Sequence, residues 1–356
     1  MRRALVATAL LAACGAKSPL PIDASAPDAP ATDRPAPQDL AHTPCNDGPI
    51  SLQRNEFVAL LAVDRSGSMN LDLQGNNGVP RRWDVLRAVL PGALAAVDPE
   101  VRLGALLYPA GGTQECAGPA GLAVPFGRDH SRAIAQALAM STPTGRTPTF
   151  AALVQAERLL AAVEAAGPRA VILATDGGPN CNAALDGDRC VCAATTLGPG
   201  REECRADPSL CLDDARAVAQ VQAMAQRGVA TYVIGIDGDR QPALVDVLRR
   251  LAVAGGRPNP AAGRAYYSVQ RPEDLDAAVR AVTRALTRCT LTAGARPPPT
   301  ATVTLRIAGA AVARDADHVD GWDWSTADGR ELALFGRACD AVAAGASVDL
   351  DVRCAP

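Results

Sequence analysis

Apolar and polar positions follow two rhythms along this chain. From about residue 56 to residue 289, unbroken apolar runs alternate with stretches in which apolar residues recur every three or four positions. Phe57–Val63, Val101–Tyr108, Leu122–Phe126, Ala170–Thr175, Val229–Ile236 and Tyr266–Val269 are the runs. Between them, Trp83, Leu86, Leu90 and Val97 mark one helical face, with Pro91 expected to kink or split it. Further helices are predicted over Phe150–Val163 and Asp213–Arg227, the latter carrying Val218, Val221 and Met224 on one side. Leu244, Val247, Leu248 and Leu251 line the next, which Gly255 and Gly256 end, and Leu275, Val282 and Leu286 line the last. Continuous apolar strands between amphipathic helices describe a strand set buried on both faces. The expected fold class is α/β: a doubly wound, mostly parallel sheet with helices on both faces.

The rhythm changes at Arg296-Pro-Pro-Pro299. Beyond it, Val303, Leu305 and Ile307, then Leu332 and Leu334, then Val348, Leu350 and Val352 alternate with period two, which predicts a small β module over residues 300–356. At under sixty residues such a module is marginal alone and needs a staple. Cys339 and Cys354 are the expected pair.

The N-terminal residues set the compartment. Arg2 and Arg3 precede an apolar stretch, Ala4–Ala13, too short to span a bilayer as a helix. It ends in Leu11-Ala12-Ala13-Cys14, which resembles a bacterial lipobox, so residues 1–14 read as a lipoprotein signal peptide with Cys14 acylated and anchored in a membrane. Gly15 in place of an acidic residue points, by the same resemblance, to the outer membrane of a diderm cell. Residues 15–44 are rich in Pro, Ala and Asp and predict a tether reaching about 90 Å at ~3.1 Å per residue. Net charge is −3 with no clustered basic stretch, which argues against nucleic-acid binding. Of eleven cysteines, ten lie beyond Cys14, and an even set in a secreted chain predicts five disulfides.

Candidate chemistry lies where runs end. Asp64-Arg-Ser66-Gly-Ser68 closes the first strand, so one carboxylate and two hydroxyls share a tight turn. Gly145-Arg-Thr147-Pro-Thr149 opens a helix, and Thr175-Asp176-Gly177-Gly178 closes a later strand. Strand ends of a doubly wound sheet are where its sites form. A hard cation takes oxygen ligands in near-octahedral geometry and retains some water, which suits Asp64, Ser66, Ser68, Thr147 and Asp176. Capping of the following helix is the competing role for the first three, and Thr149 reads as a helix-start residue.

Asp-x-Ser-x-Ser, then Thr, then Asp, in this order on these elements, resembles the von Willebrand factor type A (vWA) family with its metal-ion-dependent adhesion site. The resemblance covers about Glu56 to Cys289 and makes residues 45–290 the expected vWA domain. It implies that Ser66, Ser68 and Thr147 coordinate Mg²⁺ (or Mn²⁺ or Ca²⁺) directly in at least one state, that Asp64 and Asp176 often act through water, and that a partner's carboxylate takes the sixth position. The implied function is a non-enzymatic, cation-dependent binding or adhesion module at the cell surface, with an acidic protein partner. The alternatives are a hydrolase using Ser66 or Ser68 and a structural envelope lipoprotein with a vestigial metal site. The flanks do not form Gly-x-Ser-x-Gly, and the histidines, His42, His130 and His318, are scattered.

By the same resemblance, Cys45 and Cys289 match a disulfide joining the two ends of the domain. Cys181, Cys190, Cys192, Cys204 and Cys211 fall in an insertion, residues 177–212, after the third motif. With no paired Cys-x₂-Cys units and no nearby His, disulfides are expected there over zinc, with Cys116 as the sixth member. Their connectivity stays open, and the insertion either shapes partner choice or is a stapled surface loop. Trp322 and Trp324 are expected to pack the β module.

Overall fold

The structure, a computed structural model, describes residues 47–53, 57–73, 80–95, 101–164, 168–193, 198–199, 202–236, 242–260, 263–325 and 329–354. Cys14, residues 15–44, His42, Cys45 and Val97 lie outside the described residues. In chain order the elements are β1 (Gly48–Ile50), β2 (Leu52–Gln53), β3 (Phe57–Asp64), α1 (Arg82–Ala95), β4 (Val101–Tyr108), β5 (Val124–Gly127), α2 (Ser131–Ala139), α3 (Thr149–Ala161) and β6 (Arg169–Thr175). Then come β7 (Val191–Cys192), β8 (Gly198–Pro199), α4 (Glu202–Ala206), α5 (Asp214–Gln226), β9 (Val229–Ile236), α6 (Pro242–Ala254), β10 (Tyr267–Val269) and α7 (Pro272–Arg288). The chain ends with β11 (Thr290–Ala293), β12 (Thr302–Ile307), β13 (Ala310–Val312), β14 (Gly321–Trp324), β15 (Glu331–Phe335), α8 (Gly336–Ala343) and β16 (Val348–Arg353).

Every residue of β3 is buried, as an apolar run without alternation requires when both faces of a strand are covered. It sits inside a six-stranded sheet of order β10-β9-β6-β3-β4-β5. All neighbours pair in parallel except β4 and β5, which run antiparallel at one edge with a register shift between Leu103 and Ala105. One face packs on α1, α2 and α7 through residues such as Leu86, Ile134 and Val282. The other packs on α3, α5 and α6 through Leu153, Val221 and Leu248. Full burial of one such leucine contributes about 1.5–3 kcal/mol. This is the α/β, doubly wound arrangement that the periodicity predicts. Pro91 does not split the helix: it lies inside α1, whose buried face (Trp83, Leu86, Leu90, Leu94) is clamped by α2 and α7.

From β3 the chain moves to β4 on one side, and from β6 to β9 on the other. The carboxyl ends of β3 and β6 therefore border the crevice where strand order reverses, the place at which such sheets form sites.

The β module is larger than the period-two segments indicate. It consists of two four-stranded sheets, β1-β16-β12-β13 and β14-β15-β11-β2, with α8 packed on them. Strands β1 and β2 come from before the main sheet in sequence, and β11 follows α7 directly. Trp322 is buried, donates from Nε1 to the Val312 carbonyl and meets Trp324 edge to face, so both tryptophans pack the module.

Two expected disulfides are corrected. Cys289 bonds Cys339, so neither Cys45–Cys289 nor Cys339–Cys354 forms. Cys289 ends α7, and its carbonyl accepts from Leu334 N as β11 pairs with β15. Since α8 follows β15 without a break and packs against α7, Cys339 arrives beside Cys289, with Cα atoms 5.0 Å apart. Cys354 follows β16 in the other sheet, donates from its backbone N to Asp47, and is disulfide-bonded. The insertion cysteines pair as Cys116–Cys181, Cys190–Cys211 and Cys192–Cys204.

Candidate metal centre

Asp64 is the last residue of β3, and three loops meet in front of it. Asp64, Ser66, Thr147 and Asp176 are each at most 5% exposed, and Ser68 is half-buried. The structure thus gathers the carboxyl end of β3, the approach to α3 and the end of β6, where sequence placed the five oxygen residues.

Within the first loop, Asp64 Oδ1 accepts from Ser66 N at 2.8 Å, folding the turn back on the strand. Ser66 then opens a short 3₁₀ turn, Gly67–Asn70, but its hydroxyl caps nothing there. Ser66 Oγ and Ser68 Oγ instead face each other at 2.9 Å. A purely capping role for these serines is therefore not what the chain adopts.

The second loop is drawn in by backbone contact. Gly67 N donates to the Gly145 carbonyl at 2.9 Å. Gly145 has φ +74, and a Cβ there would lie 2.9 Å from the Glu115 carbonyl, so only glycine fits. Thr147 is held by Asn180 in both directions: Thr147 N donates to Asn180 Oδ1 at 2.8 Å, and Asn180 N donates to the Thr147 carbonyl at 2.9 Å. Thr149 is the first residue of α3, as expected.

At β6, Thr175 Oγ1 donates to Asp64 Oδ2 at 2.7 Å and accepts from Gly177 N. Arg82, the first residue of α1, donates from Nη1 to Asp176 Oδ2 at 2.6 Å, with both side chains largely buried. Sequence reasoning passed over Thr175, Asn180 and Arg82. Thr175 had a visible signal, a hydroxyl beside Asp176 at the same strand end. Asn180 and Arg82 had none, because each acts across at least 33 residues of chain.

Electrostatics make a bare negative charge on Asp64 costly. Burial, then the negative charge of Asp176, pushes the Asp64 carboxyl up from 3.8 to about 7, against the hydrogen bonds from Thr175 and Ser66. Tyr108 OH is likewise raised by burial and by the Asp64 charge. Two carboxylates and three hydroxyls form an all-oxygen donor set around a buried carboxyl whose charge the protein disfavours. The residues present therefore fit a hard divalent ion.

The Cys-rich insertion forms one wall of this face. Cys116–Cys181 ties its start to the loop after β4. Arg146, next to Thr147, pairs with Glu115 at 2.9 Å and Asp207 at 2.8 Å and donates to Ser209. Its guanidinium holds the Asp207 carboxyl down at about 2, assisted by Ser209. Sulfurs of Cys190, Cys204 and Cys211 lie within 4.8 Å of one another, but all three belong to disulfides.

A serine hydrolase would need a base near Ser66 or Ser68. His130 Nδ1 meets the Pro125 carbonyl at 2.9 Å, after antiparallel β5 and at the opposite end of the sheet from Asp64. His318 lies in the β module beside Asp323. Among the described residues neither histidine reaches the serines.

No protein-family model matches the sequence, and no curated protein does. Solved structures similar in fold include the PilB minor pilin from Streptococcus sanguinis, at 19% identity and TM-score 0.45 over 65% of this chain and 61% of that one. Another is the vWF domain of the type V pili tip protein Mfa5 from Porphyromonas gingivalis, at 14% identity and TM-score 0.45 over 65% and 95%. A third is the manganese-loaded Plasmodium vivax TRAP protein, at 20% identity and TM-score 0.42 over 66% and 76%. The chain thus spans about three fifths of the length of the minor pilin it resembles.

Proposed function

We propose that this chain is a cell-surface binding module that holds one divalent ion, Mg²⁺ or Mn²⁺, and through it captures an acidic side chain of a partner protein. The observation that carries this reading is the convergence of Asp64, Ser66, Ser68, Thr147 and Asp176 at the strand-order crevice, around a buried carboxyl pushed up to about 7. Ser66, Ser68 and Thr147 would supply neutral oxygens, and Asp64 and Asp176 the negative charge. The ion would supply an electrophilic point for a carboxylate. Thr175 and Arg82 donate to the Asp64 and Asp176 carboxylates, Asn180 holds the Thr147 backbone, and the disulfide-stapled insertion frames the approach.

The test is calorimetric titration of Mg²⁺ and Mn²⁺ into wild type, Asp64→Ala and Thr147→Ala, followed by partner capture with and without chelator. Loss of ion binding in both variants with unchanged circular dichroism is the expected result. Equal affinity in wild type and Asp64→Ala refutes the site, and chelator-insensitive capture refutes its role in binding. Anchoring through an acylated Cys14 belongs to the same proposal; mass spectrometry of the native N-terminus decides it, and a terminus cut elsewhere without lipid rejects it.

A further inference from the structure

Among the described residues, Arg65, Arg82 and Arg146 stand beside the candidate metal centre, and the last two are neutralised within the chain. Arg82 pairs with Asp176, and Arg146 with Glu115 and Asp207. The third, Arg65, sits between Asp64 and Ser66 and pairs with no carboxylate among the described residues. Its position is nonetheless well determined. Its backbone N donates to the Tyr108 carbonyl at 2.7 Å, and its carbonyl accepts from Thr144 N at 2.8 Å. The side chain crosses to the next strand end, where Nε donates to the Pro109 carbonyl at 2.8 Å. Its guanidinium then lies against Gly111, where a Cβ would come within 2.5 Å of Nη2. The side chain is half-buried, so its charge is only partly solvated. A guanidinium fixed through Nε, with both Nη groups free of carboxylates, presents the fork that binds one bidentately.

We infer that Arg65 is a second anion-recognition point beside the ion, and that the partner is an acidic segment offering two carboxylates, one to the ion and one to Arg65. The inference rests on the metal-dependent reading above. Asp64 and Tyr108 are register partners on adjacent strands, and Pro109 follows Tyr108. The fork therefore lies roughly one to two strand spacings from Asp64 at the end of β3, about 5–10 Å. Carboxylates at positions i and i+2 of an extended peptide project from one face about 7 Å apart, so an acidic-x-acidic segment matches both points. A single acidic residue satisfies the ion alone.

The experiment is a binding cycle with two synthetic peptides on an alanine–serine background, one with Glu at i and i+2 and one with the second Glu replaced by Gln. Each is titrated into wild type, Arg65→Gln and Arg65→Lys in Mg²⁺ and in chelator, with Mn²⁺ affinity measured separately for each protein. The expected result is about tenfold weaker binding of the diacidic peptide to Arg65→Gln, as for loss of one charge-assisted bidentate contact, with an intermediate value for Arg65→Lys. The monoacidic peptide should bind all three proteins alike, and Mn²⁺ affinity should not fall. Equal losses for both peptides, no loss for either, or no binding of either peptide up to millimolar concentration would overturn the inference. Diacidic binding that depends on Arg65 but persists in chelator supports the second point and refutes the metal reading, so the two failures are separable.

Discussion

At Asp64 the stability of the metal-free fold and the proposed binding of an ion would oppose each other. Burial, and then the negative charge of Asp176, push the Asp64 carboxyl up from the ordinary 3.8 to about 7 in the folded chain. The folded-state value lies above the unfolded one, so the stability gained from holding the proton is complete below about pH 4 and is lost as pH rises through 7. A window of about three pH units at 1.36 kcal/mol each corresponds to roughly 4 kcal/mol. Asp64→Asn keeps the shape without the charge, and its side-chain oxygen still accepts from Ser66 N. In chelator at pH 8 the variant should be more stable than wild type by about 2–4 kcal/mol, and the difference should vanish toward pH 4. Saturating Mg²⁺ should raise the stability of wild type, since the ion binds only the folded state, and leave the variant unchanged. Urea denaturation followed by tryptophan fluorescence, at pH 4, 6 and 8 with and without Mg²⁺, measures all of this. A variant less stable than wild type at pH 8 in chelator, or a difference independent of pH, refutes the reasoning.

Replacing Arg82 by Gln keeps a donor for Asp176 and removes a positive charge beside the ion, so Mg²⁺ should bind about tenfold more tightly in calorimetry, a screened repulsion of ~1.4 kcal/mol; weaker binding would mean that Arg82 acts by positioning Asp176. Removing the Cys289–Cys339 bond by Ser substitution at both positions should cost about 4 kcal/mol in urea denaturation, from a 50-residue separation in the chain-entropy account. A cost under about 1 kcal/mol would mean that the unfolded chain retains that loop's contacts. Gly145→Ala should destabilise the fold by about 1–3 kcal/mol and weaken ion binding as the Thr147 loop shifts away from Glu115, checked by denaturation and calorimetry on the same sample; unchanged ion affinity would uncouple that loop from the site.

The sheet was legible because its signals are local. Phe57–Asp64 needs no partner to announce a strand covered on both faces, and the apolar spacing of Leu244 to Leu251 announces a helix by itself. The positions of Asp64, Ser66, Ser68, Thr147 and Asp176 at element ends were legible for a related reason: each borders a strand or helix that the local pattern announces. Residues that hold them were not legible. Thr175 reaches Asp64 across 111 residues, Arg82 reaches Asp176 across 94, and Asn180 reaches Thr147 across 33. A side chain's partner at such distance depends on strand order, which no local pattern encodes.

Disulfide pairing and the make-up of the β module belong to tertiary structure for the same reason. Ten cysteines beyond Cys14 announced a framework, and Cys116 could be seen as the sixth member of the insertion set, but nothing in the spacing distinguished Cys289–Cys339 from the expected domain-end pair Cys45–Cys289 and module staple Cys339–Cys354. That choice was made when β11 paired with β15 and carried α8 onto α7. Gly48–Gln53 has too little apolar character to read as strand at all; it becomes β1 and β2 only because β16 and β11 offer open edges to it. Sequence by itself thus determined the elements whose burial is continuous and which oxygen-bearing residues stand at their ends. Contacts between elements distant in the chain decided which groups orient that chemistry and which cysteines meet, since those depend on where the packed core leaves an edge or a helix end free.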